Sequence, residues 1–139
     1  MISAVLDTNI LASGTVTAST PPGQVIDAWR NGQFILVTSK HILAELERTL
    51  QKPYFQTYLT KTQVSDFIEL LQSESLVIPL TVNVENVATH PEDDLTLSTA
   101  ISAKTDYLVT GDKPLINKIG PVYQGIKVVT ANDFLKKLE

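Results

Sequence analysis

Apolar positions fall along this chain in two rhythms. Short runs without polar alternation occur at Ile2–Leu6, Phe34–Val37, Leu76–Ile78, Tyr107–Val109 and Ile126–Val129. Such runs predict strands covered on both faces, the pattern of a parallel sheet. Between them the spacing turns helical. Pro21 and Pro22 suit the first turn of a helix that carries Val25, Ile26 and Trp29 and ends near Gly32. Ser39 is placed to cap a helix with Ile42, Leu43, Leu46 and Leu50 along one side, stopped by Pro53. Thr60 followed by Gln63 reads as a capping box ahead of Val64, Phe67, Ile68 and Leu71. A fourth helix follows Pro91 through Leu97, Ile101 and Lys104, and a last one runs from Asn132 to Leu138. The polar stretch from Leu80 to His90 has no clear period and reads either as loop or as an extension of the sheet. Strands alternating with helices predict an α/β fold: a three-layer α/β/α sandwich with a mainly parallel central sheet of about five strands. No repeat or linker divides the sequence, so residues 1–139 are expected to form a single domain.

Composition narrows the chemistry. The 139 residues include 11 Lys plus Arg against 15 Asp plus Glu, a net charge of −4, with two His and no Cys. Without Cys there is no disulfide scaffold, thiolate zinc site, iron–sulfur ligation or thiol nucleophile. The acidic balance argues against a protein that coats nucleic acid by bulk positive charge. The opening run Met1–Leu6 lacks the basic start of an export signal and meets Asp7 at once. No apolar run approaches the roughly 18 residues of a membrane span, so a soluble, cytoplasmic protein without a membrane partner is expected.

In open α/β sheets, ligands bind beyond the carboxyl ends of the strands. Leu6-Asp7-Thr8-Asn9 follows the first run and Thr110-Gly111-Asp112 the fourth. The second ends in Thr38-Ser39 and opens a helix bearing Glu45 and Glu47, while Glu92-Asp93-Asp94 begins the helix before the fourth strand. Each feature has an ordinary structural use. An Asp after a strand caps a helix or forms a turn, acids in a first helical turn complement the macrodipole, and Glu45 beside an apolar stripe can be a solvated residue. Taken together, four sources of carboxylate converge on one predicted sheet edge, where their repulsion calls for a cation. An oxygen-only donor set suits Mg²⁺ or Mn²⁺, ions commonly paired with phosphate groups. Phosphodiester hydrolysis fits, because a metal-activated water removes the need for His or Cys.

These motifs resemble the PIN-domain family: Leu6-Asp7-Thr8-Asn9, Thr38-Ser39 with Leu43-Ala44-Glu45-Leu46, Pro91-Glu92-Asp93-Asp94, and Asp106-Tyr107-Leu108-Val109-Thr110-Gly111-Asp112. The nearest likeness is to the VapC-like toxin components of bacterial and archaeal toxin–antitoxin pairs, and it extends from Ile2 to Phe134. The resemblance implies a catalytic and metal-binding quartet of Asp7, Glu45, Asp94 and Asp112. Asp94 is preferred to Asp93 because it lies sixteen residues before Thr110. Thr8, Asn9, Ser39, Asp93 and Thr110 are then supporting residues, and Lys40, Arg48, Lys52 and Lys113 are candidates for contact with the RNA backbone. The family often has Asp where this chain has His90. What the resemblance implies is an endoribonuclease using one or two Mg²⁺ or Mn²⁺ ions, leaving a 5′-phosphate and a 3′-hydroxyl. It further implies a cognate antitoxin partner and a homodimer or higher oligomer. The aromatic cluster Tyr54, Phe55 and Tyr58 is expected to pack between helices or, where exposed, to meet a second copy or the antitoxin.

The same residues suggest three other readings. A haloacid-dehalogenase-like phosphotransferase wants a second Asp two residues after the first, where this chain has Asn9. A receiver-like phosphoacceptor wants an Asp after the third strand, where Ile78-Pro79-Leu80 offers none. A PIN-like binding module that cleaves nothing stays open, since an intact quartet signals competence for metal rather than turnover.

Overall fold

The computed structural model describes residues 1–88 and 90–139. In chain order these form β1 (Ser3–Leu6), α1 (Thr8–Val16), α2 (Pro21–Arg30), β2 (Ile35–Thr38), α3 (Lys40–Leu50), α4 (Pro53–Tyr58) and α5 (Lys61–Glu74). There follow β3 (Leu76–Val77), α6 (Pro91–Ala103), β4 (Tyr107–Val109), α7 (Lys113–Ile119), β5 (Val122–Tyr123), β6 (Ile126–Val129) and α8 (Ala131–Lys137). All strands join one sheet in the order β3-β2-β1-β4-β6-β5. Every pairing is parallel except β5 with β6. The expected α/β fold with a mostly parallel sheet flanked by helices is therefore what the chain adopts.

The central strands are the most apolar, and the sheet buries them. Ala4, Val5 and Leu6 of β1 and Leu108 and Val109 of β4 have no exposed surface. Phe34, Tyr107 and Phe134 stack edge to face beneath one side, with ring centroids 4.9 and 5.4 Å apart, a geometry that aligns the positive ring edge with a negative face. α6 lies across β1, β2 and β4 and also packs on α3. α2 sits tightly against the turn that follows α1 because Gly23 has no side chain; a Cβ there would sit 2.1 Å from the Thr17 carbonyl oxygen.

Most helix ends follow the expected chemistry. Ser39 accepts the Ile42 N–H, and Thr60 with Gln63 closes a full capping box. Gly32 (φ +75°) turns the chain after α2 in the left-handed region that glycine enters without strain. Pro53 does more than stop α3, since it opens α4 as an N-terminal proline. Four elements lie beyond the hydrophobic pattern: α1, α4, α7 and the antiparallel edge strand β5, which makes six strands rather than about five. The stretch from Leu80 to Ala88 forms no strand, and His90 is the N-cap of α6; position 89 lies outside the described residues.

Candidate active site

The strand order reverses direction between β1 and β4. From β1 the chain builds outward to β2 and β3 on one side and, later, from β4 to β6 on the other. The loops leaving neighbouring strands at such a switch point diverge and leave a crevice. Asp7 stands at the end of β1, and its backbone N–H donates to the carbonyl of Val109 at the end of β4 (3.0 Å). Its carboxylate is buried and caps α1, with Oδ1 accepting the Ile10 N–H at 2.9 Å. Oδ2 accepts the hydroxyl of Thr110, which in turn accepts the Asp112 N–H at 3.1 Å. Asp112 caps α7 by accepting the Leu115 N–H at 3.1 Å. Two capping carboxylates from opposite ends of the sequence are thus tied together through one threonine.

Two further acids face them. Glu45 projects from the second turn of α3 and Asp93 from the first turn of α6, both half-buried. Ser39 hydrogen-bonds Thr99 across these helices (2.9 Å), which fixes how α3 sits on α6. The electrostatics record the crowding. Burial pushes the Asp7 carboxyl up from 3.8 to about 6, against the Thr110 and Ile10 hydrogen bonds that favour its charge, with the Asp93 and Asp112 carboxylates adding to the rise. Burial and the Glu92 carboxylate raise Glu45, with Asp93 and Asp7 adding to it. Burial and the Asp112 carboxylate raise Asp93. Glu92, a neighbour of this group absent from the expected site, was hidden in the sequence by its place in an acidic first turn.

The structure does not bring Asp94 into this group. Its carboxylate is taken up by three backbone amides: Oδ2 accepts the Asn86 N–H (3.0 Å), and Oδ1 those of Val87 (3.1 Å) and Ala88 (2.7 Å). Further along α6, Ser98 accepts the Val84 N–H (2.9 Å) and Ser102 those of Thr81 (2.9 Å) and Val82 (3.0 Å). The Asp94, Ser98 and Ser102 side chains recur every four residues on one face of α6 and together hold the irregular segment 81–88. Side chains at that spacing share a helix face. That repeat was visible in the sequence and separates Asp94 from Asp93 without any reference to Thr110.

The PIN domain family model matches residues 3–114 of this chain. The chain belongs to this family. It is 26% identical over 147 residues to an uncharacterised protein of Methanocaldococcus jannaschii, covering 99% of this chain and 92% of that one. Its fold is similar to that of VapBC2 of Rickettsia felis, solved bound to a DNA fragment from their promoter. There the TM-score is 0.63 at 15% identity, over 93% of this chain and 98% of that one. A protein of Pyrobaculum aerophilum gives a TM-score of 0.64 at 18% identity, over 99% of this chain and 89% of that one. PIN domains are generally nucleases that use divalent metal ions.

The other residues picked out in this PIN domain divide by position. Lys40 opens α3 and Lys113 opens α7, so both sit at the same sheet edge as Asp7 and Asp112. Arg48 lies in the last turn of α3 and Lys52 beyond it. At about 1.5 Å of rise per residue that places them more than about 10 Å along the helix from Lys40. Asn9 is exposed in the first turn of α1, and Thr8 beside it is buried. The Thr8 hydroxyl lies toward Glu45 without closing a hydrogen bond, and the buried Thr38 hydroxyl at the end of β2 also has no partner. Glu47 points elsewhere, into a cavity of about 840 Å³ lined also by Leu50, Leu59 and Val64, which none of the four clustered acids lines. The aromatic cluster is split: Phe55 packs against the core, while Tyr54 and Tyr58 are 60% and 56% exposed on α4. Interhelical packing therefore accounts for one ring of the three.

The clustered donors fit a hard divalent cation. They are all oxygen, one carboxyl is destabilised by its own burial, and the unpartnered Thr8 hydroxyl adds a neutral oxygen beside Glu45. Among the described residues no three Asp, Glu or His side chains converge closely enough to enclose an ion. Mg²⁺ commonly keeps several of its waters and binds through one or two carboxylates. No helix among the described residues is long and apolar enough to cross a membrane.

Proposed function

We propose that this PIN domain is a Mg²⁺- or Mn²⁺-dependent endoribonuclease, the toxin of a toxin–antitoxin pair, with Asp7, Glu45, Asp93 and Asp112 as its acidic quartet. What carries the reading is the gathering of these four carboxylates at the β1/β4 crevice, where burial and mutual repulsion raise three of them. A divalent ion, which Asp7, Glu45, Asp93 and Asp112 would hold, would supply Lewis-acid activation of a water and offset charge at the phosphate. The chain's own residues do the positioning. Thr110 holds Asp7 and the Asp112 amide in one register, and the Ser39–Thr99 bond sets Glu45 and Asp93 on facing helices. Lys40 and Lys113 offer positive charge at the rim for the RNA backbone. Asp93 takes the place first given to Asp94, whose oxygens are committed to the segment 86–88.

The toxin assignment is supported by the fold shared with VapBC2 of Rickettsia felis. Tyr54 and Tyr58, exposed on α4, are the surface we assign to an antitoxin or a second copy. Incubation of the protein with end-labelled RNA, with Mn²⁺ and with EDTA, is the test. Mn²⁺-dependent cleavage that is absent from Asp7→Asn supports the nuclease. A rise in melting temperature with Mn²⁺ and no cleavage at high protein concentration supports a metal-stabilised binding module instead.

A further inference from the structure

The Asp94 carboxylate sits in a nest of three successive amides. Convergent N–H groups of this kind, built where one residue takes a left-handed conformation, bind anions. The residue here is Asn86, at φ +58°, a conformation that Asn tolerates and β-branched residues do not. The anion is supplied from within the chain, by the side chain next to Asp93. His90, the N-cap of α6, provides no side-chain cap, and the Asp93 and Asp94 amides reach only its carbonyl, at 3.0 and 3.4 Å. The first turn of α6 is therefore held from the side rather than from its end. The segment opposite is itself held by α6 side chains, since the Ser98 hydroxyl that accepts the Val84 N–H also donates to the Asp94 carbonyl at 2.8 Å.

We propose that Asp94 is a positioning residue: seated in the Asn86–Ala88 nest, it locks the first turn of α6 and so keeps the adjacent Asp93 facing Asp7 and Asp112. This rests on the reading of Asp93 as a member of the acidic quartet. Both Asp94 oxygens are engaged by backbone, so its effect on the site passes through Asp93.

Two substitutions break the nest from opposite sides. Asp94→Asn replaces one acceptor oxygen with an amide that cannot receive the Asn86 N–H. Asn86→Val leaves Asp94 intact and forbids the left-handed turn. Asn86→Gly keeps the turn, and Leu71→Ala, at a fully buried position of α5, serves as a control that destabilises the protein elsewhere. Amide hydrogen exchange and Mn²⁺ titration calorimetry are measured on all of them, well below their melting temperatures. The nest variants are expected to speed exchange of the Asp93 and Asp94 amides at least about tenfold and to weaken Mn²⁺ binding about ten- to a hundredfold, the effect usual for groups that orient a ligand. Asn86→Gly and Leu71→Ala stay within about twofold of the parent in Mn²⁺ affinity, as sites outside the orienting shell should. Normal Mn²⁺ affinity in Asn86→Val beside its loss in Asp94→Asn makes Asp94 a ligand and overturns the proposal. Unchanged exchange at Asp93 in Asn86→Val overturns it too. Should Asp94→Asn fail to fold, Asn86→Val carries the test. A parent protein that binds no Mn²⁺ defeats the metal reading itself, while the exchange rates still decide whether Asp94 locks the turn.

Discussion

The hydroxyl of Thr110 donates to Oδ2 of Asp7, a residue 103 positions earlier in the chain, and closes the crevice between β1 and β4. The Thr110 hydroxyl oxygen in turn accepts the Asp112 N–H. Thr110→Val keeps the shape and removes both partners. Leaving a buried carboxylate oxygen and an amide unpaired is expected to cost about 1–3 kcal/mol. The Asp7 carboxyl should titrate higher still, because a hydrogen bond favouring its charged form is gone. Denaturant melts and carboxyl NMR titration read the two effects; an unchanged Asp7 titration would show that the bond does not form in solution.

Without metal, Asp7 makes stability fall as pH rises. Its carboxyl ionises near 3.8 in the unfolded chain and at about 6 in the fold. Between those values the folded protein binds more protons, so its contribution is full below pH 3.8 and lost as pH passes 6. The difference corresponds to about 3 kcal/mol. Glu45 and Asp93 act in the same direction. Asp7→Asn in EDTA should therefore gain on the parent protein between pH 4.5 and 7, by up to about 3 kcal/mol. A constant difference across that range would count against the shift.

Asp93→Asn and Asp112→Asn should each lower Mn²⁺-dependent RNA cleavage by more than about a hundredfold, beyond the loss expected for an orienting group alone. In EDTA their melting temperatures should equal or exceed that of the parent, because like-charge repulsion is relieved. Asn keeps an oxygen for the Asp112 cap on the Leu115 N–H, so a large fall in melting temperature would mean that the negative charge itself stabilises the fold.

Gly23→Ala places a methyl group 2.1 Å from the Thr17 carbonyl oxygen and 2.7 Å from the Ala18 Cα. Both are backbone atoms, so α2 must move away from the turn before it. A loss of about 1–3 kcal/mol, typical of overpacking, is expected in denaturant melts.

The exposed aromatics should behave differently. Tyr54→Ala with Tyr58→Ala is expected to change stability by less than about 0.5 kcal/mol per site, as for other exposed positions. A larger loss at low protein concentration would mean that the rings pack within the chain. A loss seen only at high concentration would mean that they pair two copies.

The strands of the parallel sheet were legible because burial on both faces leaves uninterrupted apolar runs. The place of Asp7 and Asp112 at the sheet edge was legible because both directly follow such runs. α1 was not, since Thr8, Asn9, Ser13, Gly14 and Thr15 leave its apolar positions without a regular stripe. β5 has two residues, one of them exposed Val122, and exists only because β6 is beside it. The choice between Asp93 and Asp94 depended on what each side chain meets. Counting back from Thr110 ignores the partner that Asp94 meets, a loop whose amides need an acceptor.

The reversal of strand order has a consequence for the timing of synthesis. Thr110 is synthesised 103 residues after Asp7, and β1 cannot pair with β4 before then. Until that pairing forms, the carboxylates have no crevice to share. A nascent chain that has not yet reached β4 therefore cannot assemble this group of carboxylates, whatever the state of the segments already made.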